Sequence, residues 1–104
     1  MKRILGQSVQ GRSIEICEYG TGKHNLHIYG GIHGDEPESI YAVQRLIELL
    51  NKEEKLYTGK HVFIVPNLNP DGFYLKTRVN ANKVDLNRNF PTKNWSGKFD
   101  LPKN

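Results

Sequence analysis

Cysteine, tryptophan and methionine occur once each in this 104-residue chain. With Cys17 alone, an internal disulfide is excluded, and the usage suits a reducing compartment. Cys17 falls in "SIEICEY", where a small buried or half-buried side chain is its simplest role. Long hydrophobic runs are also missing. No apolar stretch approaches the ~18–20 residues that cross a bilayer, so no membrane span is expected. The chain opens with two basic residues, Lys2 and Arg3, but no apolar segment follows to make a secretory signal, and a cytoplasmic location is the expectation. Two further absences matter later. Histidine does not occur after His61, nor glutamate after Glu54.

What is present amounts to one domain's worth of residues, with 37% hydrophobic content and a net charge of +4. The charge is uneven. From Lys76 to Asn104 there are seven Lys and Arg residues against Asp85 and Asp100. Such a segment can attract nucleic acid, an acidic membrane or an acidic small substrate. Nucleic acid is the weaker reading, because the charges form no basic helix face and no finger or RNA-binding motif accompanies them.

"RSIEICEYG" (12–20) alternates and reads as a strand, "TGKHN" as a turn, and "NLHIYGG" (25–31) as a second strand that could pair with the first as a hairpin. Ile40, Val43, Leu46, Ile47 and Leu50 recur at helical spacing, predicting a helix from about 36 to 51. Asp35 is expected as its N-cap, Glu38 at the capping-box position and Pro37 in the first turn. "KEEKLYTGK" reads as a solvated connection and "HVFIVPN" (61–67) as a buried strand. The order β-β-α-β favours an α/β sheet. Beyond Val65 the seven asparagines between 67 and 94, with "NPDG" and "NFP", favour turns. Phe73, Tyr74, Leu75, Val79, Val84, Leu86 and Phe90 are too many apolar residues for a solvated linker. A long ordered loop in a compact domain usually carries function.

His33 and Glu36, in "GGIHGDEPES", sit at a strand-to-helix junction, where open α/β sheets bind ligands. Glu36 is expected in the first helical turn, where the dipole favours a carboxylate. Imidazole nitrogen and carboxylate oxygen both suit zinc, whose catalytic sites have three protein ligands plus water. Alone, a histidine and glutamate three apart are a common coincidence, and a helix cap beside a solvated histidine is the plain alternative. "NLNPDG" (67–72) by itself is a turn after a strand. In "VDLNRNFP" (84–91), Asn87 and Arg88 could grip a carboxylate through an amide and a planar fork, or belong to a surface loop with a structural ion pair. Arg78 is an anion contact or a solvated charge.

Taken together, "GGIHGDEPES", "NPDG" and "TRVNANKVDLNRNFP" occur in the order that marks the zinc carboxypeptidase family of metallopeptidases, which the chain closely resembles over roughly residues 11 to 95. "GQSVQGRSIE" also looks like that family's N-terminal strand entry. The stretch from Arg78 to Trp95 is most similar to the bacterial murein peptide amidase branch, whose members cleave the γ-D-glutamyl–diaminopimelate bond of cell-wall peptides. The resemblance implies an α/β/α fold on an eight-stranded mixed sheet, of which residues 1–104 form the N-terminal portion of one catalytic domain. It implies Zn2+ as cofactor, with His33 and Glu36 as two of its ligands. Arg78 matches the arginine that stabilises the oxyanion, Asn87 and Arg88 the grip on a substrate carboxylate, and Asp85 the carboxylate that accepts from the metal-bound histidine.

The family pattern also needs a third zinc ligand, a later histidine, and a glutamate general base, and this chain has neither. A missing general base alone lowers the rate by about 10²–10⁴-fold. The expectation is therefore a chain with little or no amidase activity by itself. It would be the N-terminal part of a larger enzyme or would rely on a second chain, and its end at "KFDLPKN" would leave a strand edge and apolar surface uncovered. The implied partner is a peptide or murein peptide with a free carboxylate, with neither nucleic acid nor membrane. Two other readings stay open: a non-catalytic carboxylate-binding module indifferent to chelators, and an aspartoacylase-like deacylase of N-acyl amino acids.

Overall fold

The computed structural model describes residues 1–93; Trp95 and the "KFDLPKN" end lie outside the described residues. Four strands form one mixed sheet: β1 (Lys2–Gln7), β2 (Ser13–Tyr19), β3 (His24–Tyr29) and β4 (Lys60–Val65). Helix α1 (Glu38–Lys52) connects β3 to β4, and a short helix α2 (Pro70–Leu75) follows. Three-residue-per-turn segments cover Glu54–Tyr57 and Leu86–Arg88. No helix among the described residues is long and apolar enough to cross a membrane.

The spatial order is β1-β2-β4-β3. β2 runs antiparallel to both β1 and β4, whereas β3 and β4 are parallel and joined through α1. The expected hairpin between β2 and β3 is therefore not formed, because β4 lies between them. The reason is visible in the side chains. Val62, Ile64 and Val65 of β4 are at most 3% exposed, and a strand apolar on both faces belongs in the sheet interior. β3, mostly exposed, suits an edge. The β2–β3 connection crosses the start of β4 at close range. The Gly22 amide donates to the Lys60 carbonyl (3.0 Å), and a Cβ on Gly22 would lie 2.0 Å from the Gly59 carbonyl carbon.

The apolar stripe of α1 buries Ile40, Val43 and Leu50, the last two against Cys17, Val62 and Ile64, with Tyr19, Ile28, Leu46, Ile47 and Tyr57 around them. Each such aliphatic side chain contributes about 1.5–3 kcal/mol on burial. Cys17 is buried, as its strand position predicts, and burial pushes its thiol pKa up.

The start of α1 differs from expectation. Asp35 is exposed and caps nothing. Pro37 is the N-cap, and its carbonyl accepts from the amides of Ile40 (3.0 Å) and Tyr41 (3.2 Å). Residues 33–36 close a turn of their own first, Glu36 N–H to the His33 carbonyl at 3.2 Å, which pushes the helix start to Glu38. Glu36 thus precedes the helix. "NPDG" is likewise not a simple turn but the start of α2. The Asn69 side chain caps the Gly72 amide and Pro70 takes the first helical position, where its missing N–H is harmless. β1, which residue pattern alone does not announce, pairs with β2 at the sheet edge.

Candidate metal and active site

Three connections meet beyond the C-terminal ends of β3 and β4, the position where open α/β sheets place ligands. They are the β3–α1 loop with His33 and Glu36, the β4–α2 loop with Asn67 and Asn69, and the segment after α2 with Arg78 and Asp85. The strand pairing carries on into them, with the Gly30 amide donating to the Val65 carbonyl (2.9 Å) and Leu68 to Gly30 (2.8 Å). Backbone packs on backbone here. A Cβ on Gly34 would lie 2.1 Å from the Gly72 carbonyl carbon and 2.4 Å from the Thr77 carbonyl oxygen.

Four of the residues singled out by sequence come together. The His33 ring is held on both sides, with Nδ1 2.8 Å from Glu36 Oε2 and Nε2 3.1 Å from Asp85 Oδ1. Asp85, 2% exposed, also accepts from Arg78 Nε at Oδ2 (2.9 Å) and from the Asn87 amide at Oδ1 (3.0 Å). Burial alone would raise the Asp85 pKa. The hydrogen bonds from Arg78, His33 and the Asn87 backbone outweigh it and hold the carboxyl below the ordinary range. Asn87 meets this group through its backbone. Arg88 is exposed and donates to the Asn87 carbonyl (3.3 Å). On the loop's other flank, Gly34, Asp35 and Pro37 border an open cleft of about 480 Å³ with Tyr41, Phe73 and Tyr74.

The donor set can be tested against zinc. A neutral imidazole donates one N–H. With that proton on Nε2 toward Asp85, the Nδ1 lone pair faces a Glu36 carboxylate oxygen 2.8 Å away. Two acceptors at that distance call for a proton or a cation between them, and one imidazole nitrogen plus one carboxylate oxygen is a zinc-type pair. The buried Asp85 behind the ring is the second support that metal-binding histidines normally have. These residues fit two positions of such a site. Among the described residues no group of three His, Cys, Asp or Glu side chains completes it.

Sequence reading missed a second polar knot beside the first. Asp71, 2% exposed, accepts from Ser8 Oγ (2.6 Å), Arg12 Nη1 (2.9 Å) and the Gln10 amide (3.1 Å). Burial would raise its pKa, and these partners lower it overall. Arg12 also lies over the Tyr74 ring at 4.0 Å. Nothing local in "NPDG" signals partners some 60 residues away. The cap at Asn69, in contrast, could have been read from Asn followed by Pro.

The zinc carboxypeptidase family model, peptidase M14, matches residues 1–104. The chain is 33% identical over 114 residues to carboxypeptidase E of Caenorhabditis elegans, covering 84% of this chain and 24% of that protein. It is 46% identical over 69 residues to murein peptide amidase A of Vibrio campbellii, covering 66% and 26%. A metallo-carboxypeptidase from Burkholderia cenocepacia superimposes with a TM-score of 0.76 at 29% identity, over 85% of this chain and 27% of that one. The chain spans about a quarter of the length of the curated relatives it matches. A mixed sheet with a βαβ crossover, the metal-type pair at its carboxyl edge and the family match together lead to one conclusion: the chain belongs to the zinc carboxypeptidase family of metallopeptidases, a family of hydrolases.

Proposed function

We propose that this chain forms the N-terminal portion of a zinc-dependent catalytic domain that hydrolyses an amide bond in a peptide carrying a free carboxylate, with the γ-D-glutamyl–diaminopimelate bond of cell-wall peptides as the preferred candidate. The observation that carries the reading is the bridge made by Asp85, which joins His33 to Arg78 through opposite carboxylate oxygens. The similarity to murein peptide amidase A supports the choice of substrate.

His33 Nδ1 and Glu36 would hold the metal. When bound, zinc lowers the pKa of a coordinated water and polarises a carbonyl. Asp85 keeps the His33 proton on Nε2 and so directs the Nδ1 lone pair to the metal side. Arg78 spends Nε on Asp85, which leaves its Nη hydrogens to bind the developing oxyanion of the substrate. The Asn87 side chain and Arg88 would take the substrate carboxylate, Arg88 by a planar two-point contact. The third ligand and the general base come from residues outside these 104, in a longer chain or a second one.

The test is a zinc titration of the purified chain and of His33→Ala, followed by a hydrolysis assay on a murein tripeptide. Weak one-site binding, lost in the variant, with no detectable turnover by the chain alone, is the expected result. Equal zinc uptake by both proteins would remove the metal assignment. Robust turnover that His33→Ala abolishes would show the machinery to be complete within the chain.

A further inference from the structure

Asn69 stands beneath the site and has no role in the reading above, yet it touches both of its halves. Asn69 is 3% exposed, and its side chain uses every strong hydrogen-bonding group it has. One Nδ2 hydrogen goes to the Ile32 carbonyl (3.1 Å) and the other to the Val79 carbonyl (3.2 Å), while Oδ1 accepts from the Gly72 amide (3.0 Å). Ile32 immediately precedes His33, and Val79 immediately follows Arg78. We infer that Asn69 is a positioning residue that holds the backbone of the metal-ligand loop in register with the backbone of the Arg78 segment. This inference rests on the function proposed above.

The Asp85 bridge cannot do this alone. It joins side chains, and Arg78 is about one-third exposed, with rotatable bonds between its guanidinium and its Cα. The Asn69 amide instead grips main-chain carbonyls on both sides, and a planar group with two N–H donors fixes their separation. The surroundings leave no slack. The Asn69 Nδ2 atom would lie 2.4 Å from a Cβ on Gly72, and Thr77 Oγ1 donates to the same Val79 carbonyl at 3.1 Å. Without Asn69 the Val79 carbonyl would keep only the Thr77 hydroxyl, and among the described residues no unpartnered buried side-chain donor stands ready for the Ile32 carbonyl. Positioning of this kind matters because a displacement of about 1 Å at reacting groups can lower a rate about 100-fold.

Asn69→Ser separates positioning from folding. Serine caps helices about as well as asparagine, so the Gly72 bond survives, but its hydroxyl is too short to reach both carbonyls. The probe is the metal-free chain observed by NMR. The expected result is a folded variant with Gly72 amide protection retained, and with the Arg78 Nε–H signal and the His33 ring signals shifted or broadened. Arg78 and His33 signals that stay at their wild-type positions would overturn the inference. If the variant does not fold, wild-type side-chain exchange decides. The two Asn69 amide hydrogens should exchange at least about tenfold more slowly than those of exposed Asn82, and equal rates would overturn the inference. Neither measurement involves zinc or substrate, so a failed zinc titration and a failed positioning test are told apart.

Discussion

Replacing Asp85 by asparagine preserves shape and removes the charge at the centre of the site. To keep accepting from His33 and the Asn87 amide at Oδ1, the new amide must turn its NH2 toward Arg78 Nε–H, where a 2.9 Å contact now stands. A charge-assisted bond is lost, about 1.5–3 kcal/mol. Arg78 is about one-third exposed and can regain water, which places the loss toward the lower end of that range. The bond to His33 weakens as well, because its acceptor becomes neutral. Together the change should destabilise the chain by roughly 2–3 kcal/mol, a substantial part of a typical domain's 5–15 kcal/mol. With a urea slope near 1–1.5 kcal/mol per M for this size, the midpoint should fall by about 2 M. The pH dependence adds a check. Because the folded Asp85 pKa is lowered, its contribution is complete above the ordinary carboxylate value of about 3.9 and is lost as pH falls through the folded value. The gap between wild type and Asp85→Asn should narrow below about pH 4. A midpoint shift under about 0.5 M, or a gap unchanged at pH 3, would refute the reasoning.

Gly34→Ala places a methyl against main-chain atoms of Gly72 and Thr77 at 2.1–2.4 Å, none of which belongs to a flexible side chain. A loss of at least about 3 kcal/mol is expected, read as a fall in Tm of more than about 12 °C, and a variant melting within about 3 °C of wild type would contradict the packing described. Asp71→Ala orphans the Gln10 amide and removes the charge partner of Arg12. Urea unfolding should show a loss of roughly 3–4 kcal/mol at pH 7, shrinking in acid because the wild-type Asp71 pKa is also lowered.

Much of this arrangement could be read from the sequence, for identifiable reasons. β2 and α1 announce themselves by periodicity and β4 by its short apolar run, since each packs side chains into the core, while the mostly exposed β3 shows through its strand-forming residues and closing glycines. His33, Glu36, Arg78 and Asp85 emerge because residue type and order together are informative, and they do converge in space. Strand neighbours were not legible. Nothing local in β2 and β3 says that β4 will separate them, as that depends on where the most apolar strand can be buried. The Asp35 cap failed because a preceding turn closed at Glu36, so that the helix begins only after Pro37. Asn69 and Asp71 read as turn formers because, apart from the local cap on Gly72, their partners lie 10 to 63 residues distant.

The clasp between Ser8 and Asp71 also sets an order of assembly. It closes a separation of 63 residues, whereas the β1–β2 turn closes between Ser8 and Arg12. Loop-closure entropy rises with the logarithm of length, so the clasp is disfavoured by roughly 2–3 kcal/mol more than that turn. The β1–β2 ribbon and the β3–α1–β4 unit can each form from near neighbours, and the clasp comes only once both exist. Contacts formed late by such a route are the first to open. Since Asp71 and Asn69 share the start of α2, opening of the clasp at the N-terminal ribbon would loosen the footing of the His33 and Arg78 loops without first disrupting the aliphatic core.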